Sequence, residues 1–133
     1  MSKLPKINIL VVDDDAKVRE LIQTFFSLKS EEISCVMASD AQQAVLKMSN
    51  QDFDLILIDN VMPGRTGIDY ALSLRKSIKH SRTPIILMSG ALQQDDVLKA
   101  MEGGLRDILV KPFSLKQLSE KITGCLKKNC KDH

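Results

Sequence analysis

The sequence predicts an α/β fold in which helices cover both faces of one parallel β-sheet. Five apolar runs alternate with five amphipathic stretches along 133 residues, and this alternation is typical of repeated βαβ units. The first, third and fourth runs are almost continuously apolar, as in parallel strands that are buried on both faces. We predict strands over 7–12, 34–38, 55–58, 85–88 and 108–110.

The amphipathic stretches carry signals for where helices begin and end. Asp15 immediately precedes the first stretch and is a candidate N-cap. The fourth helix is expected to begin near Asp95 and to stop at Gly103 and Gly104, because glycine ends helices well. Capping-box pairs precede the other three helices: Asp40 with Gln43, Thr66 with Asp69, and Ser114 with Gln117.

Composition and charge narrow the class of protein. The 19 Lys and Arg residues nearly balance the 17 Asp and Glu residues, which does not indicate a nucleic-acid or membrane partner. No apolar run approaches the ~20 residues that span a bilayer. Three cysteines without dense spacing indicate reduced thiols and a cytoplasmic protein. We expect one domain over 1–133, with a core over about 7–126 and a basic tail over 127–133.

Charged and hydroxyl residues stand where four of the predicted strands end. Asp13 and Asp14 follow the first strand, Asp59 the third, Ser89 the fourth and Lys111 the fifth. The carboxyl ends of parallel strands share the edge where open α/β sheets bind ligands, so these side chains should converge. Three carboxylates, a hydroxyl and an ammonium together favour a site for a divalent metal and a phosphoryl group.

The acidic residues of this edge suit Mg²⁺, which prefers oxygen ligands. Two unit charges about 4 Å apart interact by about 4 kcal/mol at an effective dielectric of ~20, so three clustered carboxylates require a cation. Asp59 could be a third metal ligand or a nucleophile that accepts a phosphoryl group. Lys111 could then offset the phosphoryl charge, and Ser89 could donate its hydroxyl to a phosphoryl oxygen.

Four segments together resemble the receiver domain of bacterial two-component response regulators. They are VVDDD at 11–15, LIDNVMPG at 57–64, MSG at 88–90 and VKPF at 110–113. The resemblance extends over about 7–126, and its motifs are specific as a set. It implies a flavodoxin-like, doubly wound fold, with five parallel strands in the order 2-1-3-4-5 and five helices.

The resemblance also implies roles for the residues at the sheet edge. Asp59 would be the phosphoacceptor, and it would hold Mg²⁺ directly with Asp14 and the backbone carbonyl of Val61. Asp13 would contact the metal mainly through water. Lys111 would bind the phosphoryl group. Ser89 would move to that group after phosphorylation.

The partners that the family implies are proteins. The phosphodonor would be a phosphohistidine on a sensor histidine kinase or a phosphotransfer protein, and the receiver itself would catalyse the transfer as a signalling switch rather than an enzyme. The face of the fourth helix, fifth strand and fifth helix would meet a downstream partner. Here it would show Lys99, Arg106, Ile108 and Lys116, a basic rim that suits an acidic partner or a second copy.

The sequence departs from the family pattern at three positions. Ile108 stands where, in the family, an aromatic residue often swings inward during switching. Coupling between Asp59 and the output face would therefore either be lost or use another path. In the family, two further positions flank the approach of water to the phosphoryl group, and here they are Val61 and Ala91. Because neither side chain can form a hydrogen bond with that water, we predict slow self-dephosphorylation.

Three other functions are weighed against the phosphorylated switch. An aspartyl phosphatase usually has a second acid two residues after its nucleophile, and that position is Val61. A flavin or nucleotide carrier needs a glycine-rich or Ser/Thr-rich loop after the first strand, where this chain has Asp13, Asp14 and Asp15. A scaffold that signals by binding alone stays open, because Ile108 replaces the switching aromatic.

Overall fold

Five strands and five helices alternate along the chain, as the apolar pattern predicts. The structure, a computed structural model, describes residues 7–29, 33–62, 66–90 and 93–131. The elements are β1 (Ile7–Val12), α1 (Ala16–Lys29), β2 (Ile33–Ala38), α2 (Ala41–Asn50), β3 (Leu55–Asp59), α3 (Gly67–Lys76), β4 (Ile85–Ser89), α4 (Gln94–Glu102), β5 (Asp107–Val110) and α5 (Leu115–Lys131).

The sheet is parallel throughout and has the strand order β2-β1-β3-β4-β5, which confirms the flavodoxin-like topology. Val12 lies beside Ala38 and Ile58, and Asp59 lies beside Met88. The strands therefore end together at one edge. The chain leaves β1 toward β2 on one side and β3 lies on its other side, so the ends of β1 and β3 flank the point where the strand order reverses, which is where such sheets bind ligands.

The core consists of two apolar layers, one on each face of the sheet. Along β1 the side chains alternate: Leu10 and Val12 lie in one layer and Ile9 and Val11 in the other. The first layer includes residues of α2, α3 and α4, and the second includes residues of α1 and α5. Burial on both faces explains why these strands are apolar almost without interruption.

Side-chain caps begin the helices where the sequence predicts them. The Asp15 carboxylate accepts a hydrogen bond (2.9 Å) from the backbone N–H two residues on and caps α1. Asp40 and Thr66 accept from the N–H three residues on, at the starts of α2 and α3. Ser114 and Gln117 accept from each other's backbone N–H, which forms a complete capping box before α5.

Some predicted boundaries differ from the structure. Asp59 and Ser89 are the last residues of their strands rather than the first residues after them. Helix α4 ends at Glu102 with Gly103 as its C-cap, as expected, and Gly104 has a positive φ of 94°. Helix α5 continues to Lys131, so most of the basic tail expected after Leu126 is helical.

Helices long and apolar enough to cross a membrane are absent from the described parts of the chain.

Candidate functional site

Every polar group of Asp13 forms a hydrogen bond. Its backbone N–H donates to the Ala38 carbonyl (3.0 Å) and its own carbonyl accepts from Nη1 of Arg19 (2.6 Å). Its Oδ1 accepts from the N–H of Asp15 (2.8 Å), and its Oδ2 accepts from Nζ of Lys111 (2.8 Å). The residue is 0% exposed. Asp13 is therefore a fixed anchor at the end of β1, with both carboxylate oxygens already engaged.

The three predicted acidic residues converge. Asp13, Asp14 and Asp59 each offer a carboxylate oxygen, and these oxygens lie within 4.8 Å of one another. Asp14 is exposed to solvent, whereas the other two are buried. This spacing and the all-oxygen donor set fit a hard divalent cation such as Mg²⁺, which keeps several waters beside its carboxylate ligands.

Asp59 lies at the centre of the site and is 5% exposed. Its Oδ1 is 3.1 Å from Nζ of Lys111. Burial and the neighbouring Asp13 carboxylate raise the pKa of Asp59, although Lys111 and the backbone N–H of Val61 partly oppose this. Burial and the neighbouring negative charge therefore disfavour the ionised Asp59 carboxylate, and a bound cation would offset this.

Lys111 bridges two carboxylates. Burial disfavours its charge, but hydrogen bonds and attraction to Asp13 and Asp59 outweigh burial and raise the pKa of Lys111. Its backbone N–H donates to the Ser89 carbonyl (2.9 Å), and the Lys111-Pro112 peptide bond is cis. Ser89 is 3% exposed at the end of β4. Lys111 and Ser89 therefore lie at the carboxyl ends of two adjacent strands, on the same edge of the sheet.

Two residues that the sequence reasoning missed shape the backbone around Asp59. The carbonyl of Asn60 accepts from the N–H of Gly67 (2.9 Å), and Oδ1 of Asn60 accepts from the N–H of Ile68 (3.2 Å). A Cβ at Gly67 would lie 2.1 Å from the Asp59 carbonyl oxygen. Only glycine fits there. A glycine directly after the Thr66 cap was the one sequence signal of this close approach.

Near the site, the structure describes Val61 but not every residue that the sequence singled out. Val61 is 68% exposed, and its N–H faces the Asp59 carboxylate. Its carbonyl as a metal ligand stays a prediction. Ala91 and the loop residues 63–65 lie outside the described residues.

The expected output face is only partly as the sequence suggested. Arg106 and Lys116 are exposed and Ile108 is half-buried. Lys99 instead forms an ion pair with Asp69 of α3 (2.8 Å), so its charge is directed toward α3. A groove of about 460 Å³ lies between β5 and α5, lined by Asp107, Ile108, Leu109, Val110, Gln117, Glu120, Lys121 and Gly124.

Comparisons with known proteins agree with this geometry. The family model of the response regulator receiver domain matches residues 9–123. The phosphate regulon transcriptional regulatory protein PhoB of Pseudomonas aeruginosa is 32% identical over 120 residues, which are 90% of this chain and 52% of PhoB. The DNA-binding response regulator MtrA of Mycolicibacterium paratuberculosis is 33% identical over 121 residues, 91% of this chain and 52% of MtrA. The chain thus spans about half the length of these curated relatives.

Solved structures show the same fold. The Vibrio cholerae chemotaxis protein CheY4 has a TM-score of 0.81 and 25% sequence identity, over 91% of this chain and 99% of that chain. A CheY-like receiver domain protein of Methanospirillum hungatei has a TM-score of 0.84 over 96% of this chain and 99% of its own, and at 23% identity it supports the fold alone.

Proposed function

This chain belongs to the response regulator receiver domain family, and on that premise we propose that it moves a phosphoryl group from a phosphohistidine onto Asp59. Receiver domains are switches of two-component signalling, and response regulators act with histidine kinases. The position of Asp59 is the observation that best supports its assignment as the phosphoacceptor. It is a buried carboxylate 3.1 Å from an ammonium and within 4.8 Å of two other carboxylates.

In the proposed transfer, a carboxylate oxygen of Asp59 attacks phosphorus. The new oxygen–phosphorus bond forms as the nitrogen–phosphorus bond of the donor breaks, and the leaving imidazole keeps the electron pair and takes a proton from solvent. Lys111 supports this step by holding the Asp59 oxygen ionised and in place. The backbone N–H of Val61 orients the same carboxylate.

The acidic cluster is the proposed Mg²⁺ site. Asp14 and Asp59 would bind the ion directly with the Val61 carbonyl, and Asp13 would act through water. The engagement of both Asp13 oxygens, by the Asp15 N–H and by Lys111, supports this water-mediated role. When bound, the ion supplies positive charge for the phosphoryl oxygens.

Phosphorylation would redistribute the contacts of Lys111 and Ser89. A phosphoryl group adds up to about two negative charges, which attract an ammonium more strongly than one carboxylate does. We propose that Lys111 transfers from the Asp59 carboxylate to a phosphoryl oxygen, and that the Ser89 hydroxyl donates to another. Both residues lie at the adjoining ends of β4 and β5, so their movement reaches the neighbouring output face.

The proposed output is a protein contact on α4, β5 and α5. Arg106 and Lys116 supply positive charge on this face, which suits an acidic partner or a second copy. The groove between β5 and α5 is lined by both apolar and charged residues. We propose no direct contact with nucleic acid for the described domain, although MtrA is a DNA-binding protein of about twice this length. Cys35 is a free thiol, which suits the reducing cytoplasm.

We also propose that the described residues form one receiver domain, and that its phosphoryl group is long-lived. The sheet and its helices account for 7–131 apart from the short undescribed segments. Because the apolar Val61 side chain beside Asp59 cannot hold the attacking water, self-dephosphorylation should be slow. A half-life of seconds for the isolated phosphoprotein would contradict this.

Incubation with acetyl phosphate, with and without Mg²⁺, tests the proposal by intact mass. We expect one added phosphoryl group in the wild type with Mg²⁺ and none in Asp59→Asn. Asp52→Asn is the matched control, because Asp52 is exposed and its nearest ion-pair partner is Lys79, outside the acidic cluster. Phosphorylation that persists in Asp59→Asn would overturn the acceptor assignment. Absence of an adduct, followed by no transfer from a histidine kinase, would favour the binding-only scaffold.

A further inference from the structure

We infer that Arg19 is a positioning residue, whose guanidinium sets the backbone of the acidic loop after β1 so that Asp14 reaches a divalent cation. This inference rests on the proposed metal site. Nη1 of Arg19 donates to the carbonyl oxygen of Asp13 at 2.6 Å. The contact is a short, charge-assisted hydrogen bond to a backbone group whose next residue is the exposed member of the acidic cluster.

The contact fixes the peptide unit that joins Asp13 to Asp14. A peptide group is planar, so an anchored carbonyl oxygen also orients the N–H and Cα of the following residue. The neighbours on both sides are already held: the N–H of Asp13 donates to Ala38, and the N–H of Asp15 donates to the Asp13 carboxylate. Arg19 adds the restraint that opposes rotation of the peptide unit between them.

Helix α1 holds Arg19 itself in place. Its backbone N–H donates to the Asp15 carbonyl (3.1 Å), which is the first turn of the helix, and its side chain is half-buried. The guanidinium therefore reaches back from one fixed element to the loop that precedes it. A lysine could donate one hydrogen bond to the same oxygen, but it lacks the planar, preorganised fork of arginine.

The charge and the geometry of Arg19 predict opposite effects on metal binding. As a cation near three carboxylates, Arg19 would repel Mg²⁺, so its removal would tighten binding. As a clamp on the Asp13–Asp14 peptide, it would preorganise a metal ligand, so its removal would weaken binding. Residues that orient metal ligands typically contribute about 10–100-fold to affinity. We expect the clamp to outweigh the repulsion, because Arg19 is only half-buried and solvent screens the effect of its charge on the ion.

The test is calorimetric titration of Mg²⁺ at pH 7 into wild type, Arg19→Met, Arg19→Lys and Lys17→Met. Lys17 is the matched control, since it carries the same charge in the same turn of α1 and is exposed. Arg19→Met should bind Mg²⁺ about 10-fold more weakly than wild type, and Arg19→Lys should recover part of the loss. Lys17→Met should bind as the wild type does or slightly more tightly.

Amide NMR of the metal-free proteins gives a second measurement. The Asp14 amide resonance should shift in Arg19→Met and stay in place in Lys17→Met. The inference is overturned if Arg19→Met binds Mg²⁺ as tightly as Lys17→Met, or if the Asp14 resonance does not move. No Mg²⁺ binding by any protein, wild type included, would instead overturn the proposed metal site and this inference together. If Arg19→Met does not fold, the Mg²⁺ affinities of Arg19→Lys and Lys17→Met are compared instead. Weaker binding by Arg19→Lys supports the inference, and equal or tighter binding overturns it.

Discussion

Asp59→Asn should make the metal-free protein more stable, although it removes the group on which the proposed function depends. At an effective dielectric of ~20, Asp13, which lies within 4.8 Å, repels the Asp59 charge by about 3.5 kcal/mol or more, and Lys111 at 3.1 Å attracts it by about 5 kcal/mol. Asp14 adds a smaller, solvent-screened repulsion. These charge interactions nearly cancel, so the cost of burying the carboxylate stays uncompensated.

The neutral amide of asparagine has nearly the same shape and avoids most of that cost. We expect a gain of about 1–2 kcal/mol in the free energy of unfolding at pH 7 in EDTA. For a chain of this size, that gain corresponds to a rise of about 3–8 °C in Tm. Urea unfolding followed by circular dichroism suits the measurement, because the sequence has no Trp and a single Tyr.

The stability gained by Asp59→Asn over wild type should depend on pH. The folded pKa of Asp59 is raised above its ordinary value of 3.8, so the folded wild type binds a proton more tightly than the unfolded chain does. The ionised carboxylate destabilises the wild type at neutral pH, and this penalty disappears as pH falls from the raised pKa through 3.8. The advantage of Asp59→Asn should therefore shrink over the same interval.

Mg²⁺ should reverse the order of stability. The ion stabilises the folded wild type by mass action, and it stabilises a variant that lacks one carboxylate ligand much less. Asp52→Asn, at an exposed acid paired with Lys79, should change stability by less than about 0.5 kcal/mol. The reasoning is refuted if Asp59→Asn is no more stable than wild type at pH 7 in EDTA, or if its advantage is the same at pH 4.

Three further predictions follow from single contacts. Gly67→Ala should destabilise the fold by about 1–3 kcal/mol and reduce phosphorylation, because its Cβ would meet the Asp59 backbone. Gly124→Ala is the control, since its Cβ would meet nothing within 4 Å. In the same urea and phosphorylation assays, Gly124→Ala should be neutral or stabilising. Arg75→Met should cost about 2 kcal/mol with phosphorylation unchanged, because Nη1 of Arg75 donates to three carbonyls of the loop before β4; a urea midpoint equal to wild type would contradict it. Val61→Asn should shorten the half-life of the phosphoprotein by supplying a polar group beside the acceptor, and an unchanged decay by intact mass would contradict it.

Much of this fold could be predicted from the sequence, because its strands are buried on both faces and its helices are amphipathic. Burial on both sides makes β3 and β4 continuously apolar, and the polar residues that follow mark their carboxyl ends. The capping residues are local signals as well, since the Ser114 cap is satisfied by an N–H only three residues away. Because strands and helices alternate along the chain, the sheet is expected to be parallel, and this predicts that the acidic residues meet at its carboxyl edge.

The contacts that the sequence did not predict depend on tertiary placement. Nothing in the local pattern indicates that Arg19 reaches back to the Asp13 carbonyl, or that Lys99 pairs with Asp69, thirty positions earlier. The glycine at position 67 is required by a backbone approach from β3, which only the folded chain shows. The length of α5 was underestimated, because the residues after Leu126 are mostly polar and carry no apolar periodicity that would predict a helix as far as Lys131.

The most direct test of Asp59 as phosphoacceptor is to locate the phosphoryl group chemically. Borohydride reduces an acyl phosphate to an alcohol and so converts a phosphorylated aspartate to homoserine, which peptide mass mapping can place. After incubation with acetyl phosphate and Mg²⁺, we expect homoserine at position 59 alone, and none when Mg²⁺ is replaced by EDTA. Homoserine at position 13 or 14, or reduction that does not depend on Mg²⁺, would contradict the assignment of acceptor and metal site.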